Sequence, residues 1–149
     1  MIFQPGYIYS LNEHSIKKHF PNLTFESFKY TSEKTDDYNC AAWSIEIEDE
    51  WIQFRDPKGM LDVSITTYIN YFTNLGFSIT NDKNFEEGVK KIAIYKNEQD
   101  EFKHVARLMS NGKWTSKIGD WEDIEHDTLE VLADRSYGKP CLIMEKRKD

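Results

Sequence analysis

The stretch from Ile92 to Ile118 constrains the fold most, because three apolar-rich runs follow one another there with turn signals between them. Asn111-Gly112 separates Phe102–Met109 from Trp114–Ile118, and Asn-Gly between apolar runs is the strongest short-range hairpin signal: both residues accept the left-handed backbone of a tight turn. Asn97-Glu98-Gln99-Asp100 separates Ile92-Ala93-Ile94-Tyr95 from Phe102 in the same way. Three strands joined by two hairpins are expected. Phe77-Ser78-Ile79-Thr80 adds a short strand and Cys141-Leu142-Ile143-Met144 a terminal one.

Upstream the periodicity changes. Val63, Thr67, Tyr68, Tyr71, Phe72 and Leu75 share one face of a helix, and Gly76 stands where a left-handed cap would end it. A short helix is expected over 12–20, closed by Pro21, a second over 25–30, and a third opening at Cys40, where Trp43 and Ile47 recur at helical spacing. That third helix should fray among the acids 46–50, which are unfavourable near a helix C-terminus. Asp127–Ala133 reads as one more short, capped helix. The expected fold class is therefore α+β: N-terminal helices packed on a C-terminal antiparallel sheet, in a single domain spanning 1–149.

Charge narrows the partners. A net charge of −7, with acidic and basic residues interspersed, argues against nucleic acid, which needs clustered Lys and Arg. The chain has no apolar run of membrane-spanning length and no secretion-type leader, so no membrane partner is expected. Two cysteines cannot form a disulfide framework, and the localisation read from this is cytoplasmic, with both thiols reduced. No glycine-rich phosphate loop or fixed-period repeat is present.

The chemistry worth testing starts at Cys40. Asp36-Asp37-Tyr38-Asn39 precedes it, and a thiol in the first turn of a helix lies near unpaired N–H groups that favour the thiolate. The plainer reading is a small buried hydrophobe. Strand alternation groups His104 with Phe102, Ala106 and Leu108, so if the Phe102 face packs on the helices, His104 faces Cys40. The pair would then supply nucleophile and base, although a histidine on a core strand also serves simply by bonding a backbone carbonyl.

Asn39-Cys40 opening a helix, with His104-Val105-Ala106-Arg107-Leu108 and Asn111-Gly112-Lys113, resembles the cysteine-helix and histidine-strand elements of NlpC-type and papain-like cysteine hydrolases. Tyr38-Asn39-Cys40-Ala41-Ala42-Trp43, Trp114-Thr115-Ser116-Lys117 and Asp123–Thr128 also resemble a group of small bacterial proteins of no assigned function. The first resemblance implies a papain-like fold and thiol-dependent amide hydrolysis or acyl transfer on a peptide, amide or protein substrate, with no cofactor. It implies Cys40 as nucleophile, His104 as general base and acid, and a third polar residue twelve positions after the histidine, here Ser116. A three-residue hairpin loop with a bulge at Gly112 puts Ser116 on the His104 face, whereas a strict two-residue turn puts Lys117 there. His126 is a second candidate base.

Asn39 or Tyr38 would join the Cys40 N–H in an oxyanion site, and Trp43 and Trp114 would wall the cleft. Cys40, His104, His126 and Cys141 lack the close spacing of structural zinc ligands, so no metal is expected. Cys141, on an apolar strand, should be the shielded thiol and Cys40 the reactive one. The alternative is a catalytically inactive papain-like binding or immunity-type module.

Overall fold

The computed structural model describes residues 20, 28–32, 35–118, 123–133 and 137–148. The helix expected over 12–20 lies outside these, apart from Phe20. The described residues form a seven-stranded sheet, antiparallel throughout: β1 (Phe28–Tyr30), β2 (Ser78–Thr80), β3 (Val89–Lys96), β4 (Phe102–Leu108), β5 (Trp114–Lys117), β6 (Asp123–His126) and β7 (Lys139–Arg147), in the order β1-β6-β5-β4-β3-β7-β2. Helix among the described residues is limited to α1 (Cys40–Ser44), α2 (Ile65–Asn74) and a 3-10 turn over Glu130–Leu132.

The expectation of helices packed on a sheet in a papain-like α+β fold is corrected by this architecture. Two segments account for much of the difference. Phe28-Lys29-Tyr30, expected to end a helix, is a strand with both aromatics buried and Lys29 exposed, the period of two that a strand requires. It pairs with Asp123–His126, a segment in which no strand was expected. The helix at Cys40 also stops after five residues, because Glu46 takes a left-handed backbone at φ 67° that ends helical hydrogen bonding. The helix over 63–75 is present as α2, and Gly76 ends it at φ 103°.

Each sheet face buries its own cluster. On one, Ile92, Ile94, Phe102, Val105 and Met144 pack beneath Tyr68 and Phe72 of α2 and Ala41 of α1. Tyr68 and Phe102 stack at 3.7 Å with ring planes only 4° apart. On the other, Phe28, Tyr30, Ala93, Tyr95, Ala106, Trp114 and Ile124 pack against Phe20, Leu129 and Leu132. Burying each large apolar side chain stabilises by about 1.5–3 kcal/mol, so both faces contribute to one folded unit.

A bulge decides which face each residue of β4 serves. Tyr95 pairs with His104 but Lys96 pairs with Phe102, which leaves Lys103 as an extra residue on β4. An extra residue reverses the alternation beyond it. Phe102 therefore packs under α2, while His104 points to the opposite side with Tyr95. In the following hairpin Gly112 adopts φ 82°, the Met109 N–H donates to the Lys113 carbonyl, and Leu108 pairs with Trp114. This is the three-residue loop with a glycine bulge, and it sets Ser116 on the side of Trp114 and Lys117 on the side of Thr115.

Candidate functional site

The residues singled out in the sequence separate into two groups with the sheet between them. Tyr38, Asn39, Cys40, Trp43 and Lys117 lie on the helical face, and His104, Trp114 and Ser116 on the other.

On the helical face Asn39 caps α1. Its Oδ1 accepts from the Ala42 N–H and the Ile52 N–H, both at 3.1 Å, and its Nδ2 donates to the Ile52 carbonyl at 3.0 Å. All these groups hold the loop against the helix and fix the amide as a cap, with one of its two N–H donors spent on the Ile52 carbonyl. Cys40 begins α1 half-buried, its thiol pKa pushed up to about 11 by burial. Backbone groups of Val105 and of α1 and the Lys117 charge favour the thiolate, but burial wins. Cys40 is thus a protonated thiol at neutral pH.

Around it runs a chain of polar contacts. The Tyr38 hydroxyl donates to Asp123 Oδ2 at 2.6 Å, and burial together with that carboxylate raises the phenol pKa. The Lys117 ammonium donates to the Thr35 carbonyl at 2.6 Å and lies 5.3 Å over the Tyr38 ring. Burial raises the Asp123 pKa against the pull of Tyr38 and Lys117, and Asp123 Oδ1 is buried with no hydrogen-bond partner. Trp43 stacks beside Tyr38, donates from Nε1 to Thr115 Oγ1 at 3.1 Å, and carries the Arg107 guanidinium 4.5 Å over its ring.

On the opposite face His104 is fully buried. Its ring stacks on Tyr137 at 4.1 Å and meets Tyr95 edge-on, both ring nitrogens lack a hydrogen-bond partner, and burial holds its pKa well below 6.5. Ser116 does not orient it. The Ser116 hydroxyl lies 2.8 Å from His126 Nε2, and His126 Nδ1 lies 2.8 Å from the Thr128 carbonyl. A carbonyl can only accept, so Nδ1 carries the proton and Nε2 accepts from the serine. Burial lowers the His126 pKa to about 4, and the imidazole is neutral. This serine–histidine pair has hydrolase-like spacing, yet both side chains are sealed from solvent.

The chemistry follows from this division. Among the described residues the helical face has a thiol with no imidazole beside it, and the other face has imidazoles and a hydroxyl buried from solvent. Trp114 is core on that second face rather than a cleft wall. Cys141, expected to be shielded, is exposed at a bulge of β7. Three clefts between described residues measure about 470, 960 and 150 Å³, and none is lined by Cys40, His104 or His126. The described residues contain no cluster of His, Cys, Asp or Glu suited to a metal ion. Asp123 and Arg107 were missed in the sequence reading. The alternation Asp123-Ile124-Glu125-His126 was the available signal for the first, since it places one apolar residue between acids at strand period.

The fold and its two buried polar clusters define an antiparallel-sheet protein with helices on one face. Residues 29–145 match the family model DUF7689, a domain of unknown function, and the chain belongs to that family. No curated protein and no solved structure matches the chain. No helix among the described residues is long and apolar enough to cross a membrane.

Proposed function

We propose that the chain acts as a protein-binding module rather than as a thiol hydrolase. The observation that carries this reading is the position of Cys40 and His104 on opposite faces of one sheet. Amide hydrolysis or acyl transfer by Cys40 needs a base within hydrogen-bond reach and a thiol poised to ionise, and the Cys40 thiol has a raised pKa instead. Two free cysteines support a cytoplasmic setting, where thiols stay reduced.

The segment 51–63 is the binding surface in this reading. Phe54 anchors it, with ring contacts of 5.0 Å to Tyr68 and to Tyr71. Beyond that anchor the chain forms a small hairpin, in which Arg55 bridges to Leu61 and the Asp56 N–H donates to the Met60 carbonyl at 2.8 Å. Its outer side leaves Met60 66% and Leu61 51% exposed, with Trp51 and Val63 exposed nearby. Exposed apolar side chains gathered in one stretch mark interaction surfaces. The adjoining groove of about 470 Å³ is lined by Leu61, Val63, Asp56, Asp62, Asp100 and Glu101. An apolar wall with a carboxylate rim suits a partner segment that carries Lys or Arg next to an apolar residue.

Titration with a short Lys-Leu-Lys peptide, followed by amide chemical shifts, should move residues 54–66 and 99–101. Leu61→Asp should abolish the shifts without lowering the melting temperature. No shift in the parent would refute this surface. The catalytic reading is tested separately: rapid Cys40 labelling by iodoacetamide with a midpoint below the ordinary thiol pKa, together with a covalent acyl adduct on Cys40, would overturn the non-catalytic assignment.

A further inference from the structure

In a chain with net charge −7, cations from three strands converge on one small cavity beside the end of α1. Lys90 from β3, Arg107 from β4 and Lys148 just after β7 line it, together with Ser110 and Glu46. Glu46 is the carboxylate among the lining residues. Its Oε2 lies 2.9 Å from Lys90 Nζ and its Oε1 3.3 Å from an Arg107 terminal nitrogen. Lys91 also borders the space, but its ammonium is engaged by Asp82 and Glu145. Lys90, Arg107 and Lys148 therefore outnumber the carboxylate three to one.

Arg107 is the most informative of these groups. Its guanidinium carries five N–H donors. One hydrogen bond, to Glu46, uses a single donor, although the side chain is only 20% exposed. The guanidinium carbon lies 4.5 Å over the Trp43 ring, a cation–π contact that helps hold the group in place. Lys148 makes no ion pair with another described residue, and its backbone N–H ties the strand end to the Gly88 carbonyl at 2.8 Å. Glu46 meets the cations from a left-handed backbone at φ 67°, a conformation costly for a residue with a Cβ. The neighbouring Lys90 ammonium holds its carboxyl below the usual carboxylate range.

We propose that this cavity binds a phosphoryl group, with Arg107, Lys90 and Lys148 donating to its oxygens and Glu46 as the internal carboxylate with which those oxygens compete. The volume, about 150 Å³, is below the ~300–1,000 Å³ of clefts that take drug-sized ligands, so the site takes a charged group rather than a whole nucleotide. A planar guanidinium held on an aromatic face, flanked by ammonium groups, matches phosphoryl geometry. The rival explanation is an ion-pair network that only offsets the carbonyl end of α1.

The test is titration of the protein with inorganic phosphate, and separately with phosphoserine, at constant ionic strength set by chloride, read by calorimetry and by melting temperature. Saturable binding of phosphate that chloride does not mimic is expected. Glu46→Gln should tighten it by roughly tenfold, the scale of one charge-assisted interaction. Lys148→Gln, on an exposed side chain that cannot threaten the fold, should weaken it several-fold, and Arg107→Gln more. Tighter binding of phosphoserine than of phosphate would assign the site to a phosphate ester, and equal binding to the free anion. If neither the parent nor Glu46→Gln responds to phosphate beyond the chloride control, the cluster is an ion-pair network and the proposal fails.

Discussion

The two faces of the sheet handle buried polar groups in opposite ways. On the helical face Tyr38, Asp123 and Lys117 carry or border formal charge, and each is held by a hydrogen bond or an aromatic ring close by. On the other face the polar groups around Ser116 are neutral: Ser116 and His126 satisfy one another, and His104 is left with an aromatic stack and no hydrogen bond, while the buried Lys91 of that face keeps ion pairs to Asp82 and Glu145. Charged groups stay buried where backbone carbonyls and a counter-charge reach them. Where aromatic and aliphatic side chains enclose a group and burial outweighs any counter-charge, as at His104 and His126, the neutral form persists. A thiol on the first face and imidazoles on the second therefore have separate chemistry.

Acid should separate the faces most strongly. Both His104 and His126 have folded pKa values below the ordinary 6.5. Above about pH 6.5 both states of the chain leave them neutral, and stability is full. As pH falls below that, the unfolded chain takes up protons first, and stability drops until the folded pKa is passed, at about 4 for His126. That shift alone corresponds to about 3 kcal/mol. Asp123 acts in the other sense, because its raised pKa lets the folded state bind the proton more readily as pH falls. Glu46, with a lowered pKa, loses its contribution only below 4.5. Denaturant melts between pH 7 and pH 4.5 should show the loss, and a flat profile would mean that the second face is not sealed.

Substitutions within the second face come next in size. Ser116→Ala leaves the buried Nε2 of His126 without its donor and should cost about 1–3 kcal/mol. His104→Leu should move stability the other way, by about 1 kcal/mol, because it removes two buried nitrogens that have no partner. A loss instead would show that the Tyr137 stack outweighs that penalty. Urea unfolding of both variants measures the contrast.

The smallest effect concerns the thiols. Iodoacetamide at pH 8, read by mass spectrometry, should modify Cys141 before Cys40: burial raises both thiol pKa values, but Cys141 is exposed while the Cys40 pKa is pushed up to about 11. The sequence pattern alone implies the reverse order, with Cys40 first. Faster labelling of Cys40 would reopen the helical face as a reactive site.

Local chemistry made several elements legible. The turn at Asn111-Gly112, the apolar face of α2, the helix cap at Asn39 and strands β3, β4, β5 and β7 all depend on residues within a few positions of each other. Sequence patterns read such short-range preferences well. Strands β1 and β6 are not legible locally because each is only three or four residues long: β1 forms by pairing with β6 across the chain, and β6 is held between β1 and β5. A short apolar-polar run has no strand identity until a partner supplies its hydrogen bonds. The residues 51–62 read in the sequence as loop, and only the fold shows that their apolar side chains stand exposed beside an acidic groove.

The sequence by itself determined which residues were available: one helix-capped cysteine, a strand histidine, a hairpin that turns Ser116 and Lys117 to opposite sides, and an acidic net charge. The tertiary structure decided which of them meet. One extra residue at Lys103 reversed the alternation of β4, carrying Phe102 beneath the helices and His104 to the far face. The side-chain period of a strand is two, so a single inserted residue exchanges the faces of everything beyond it. No local pattern records whether the partner strand accommodates that residue, which is why Cys40 and His104 looked like neighbours in the sequence and are separated by a sheet in the fold.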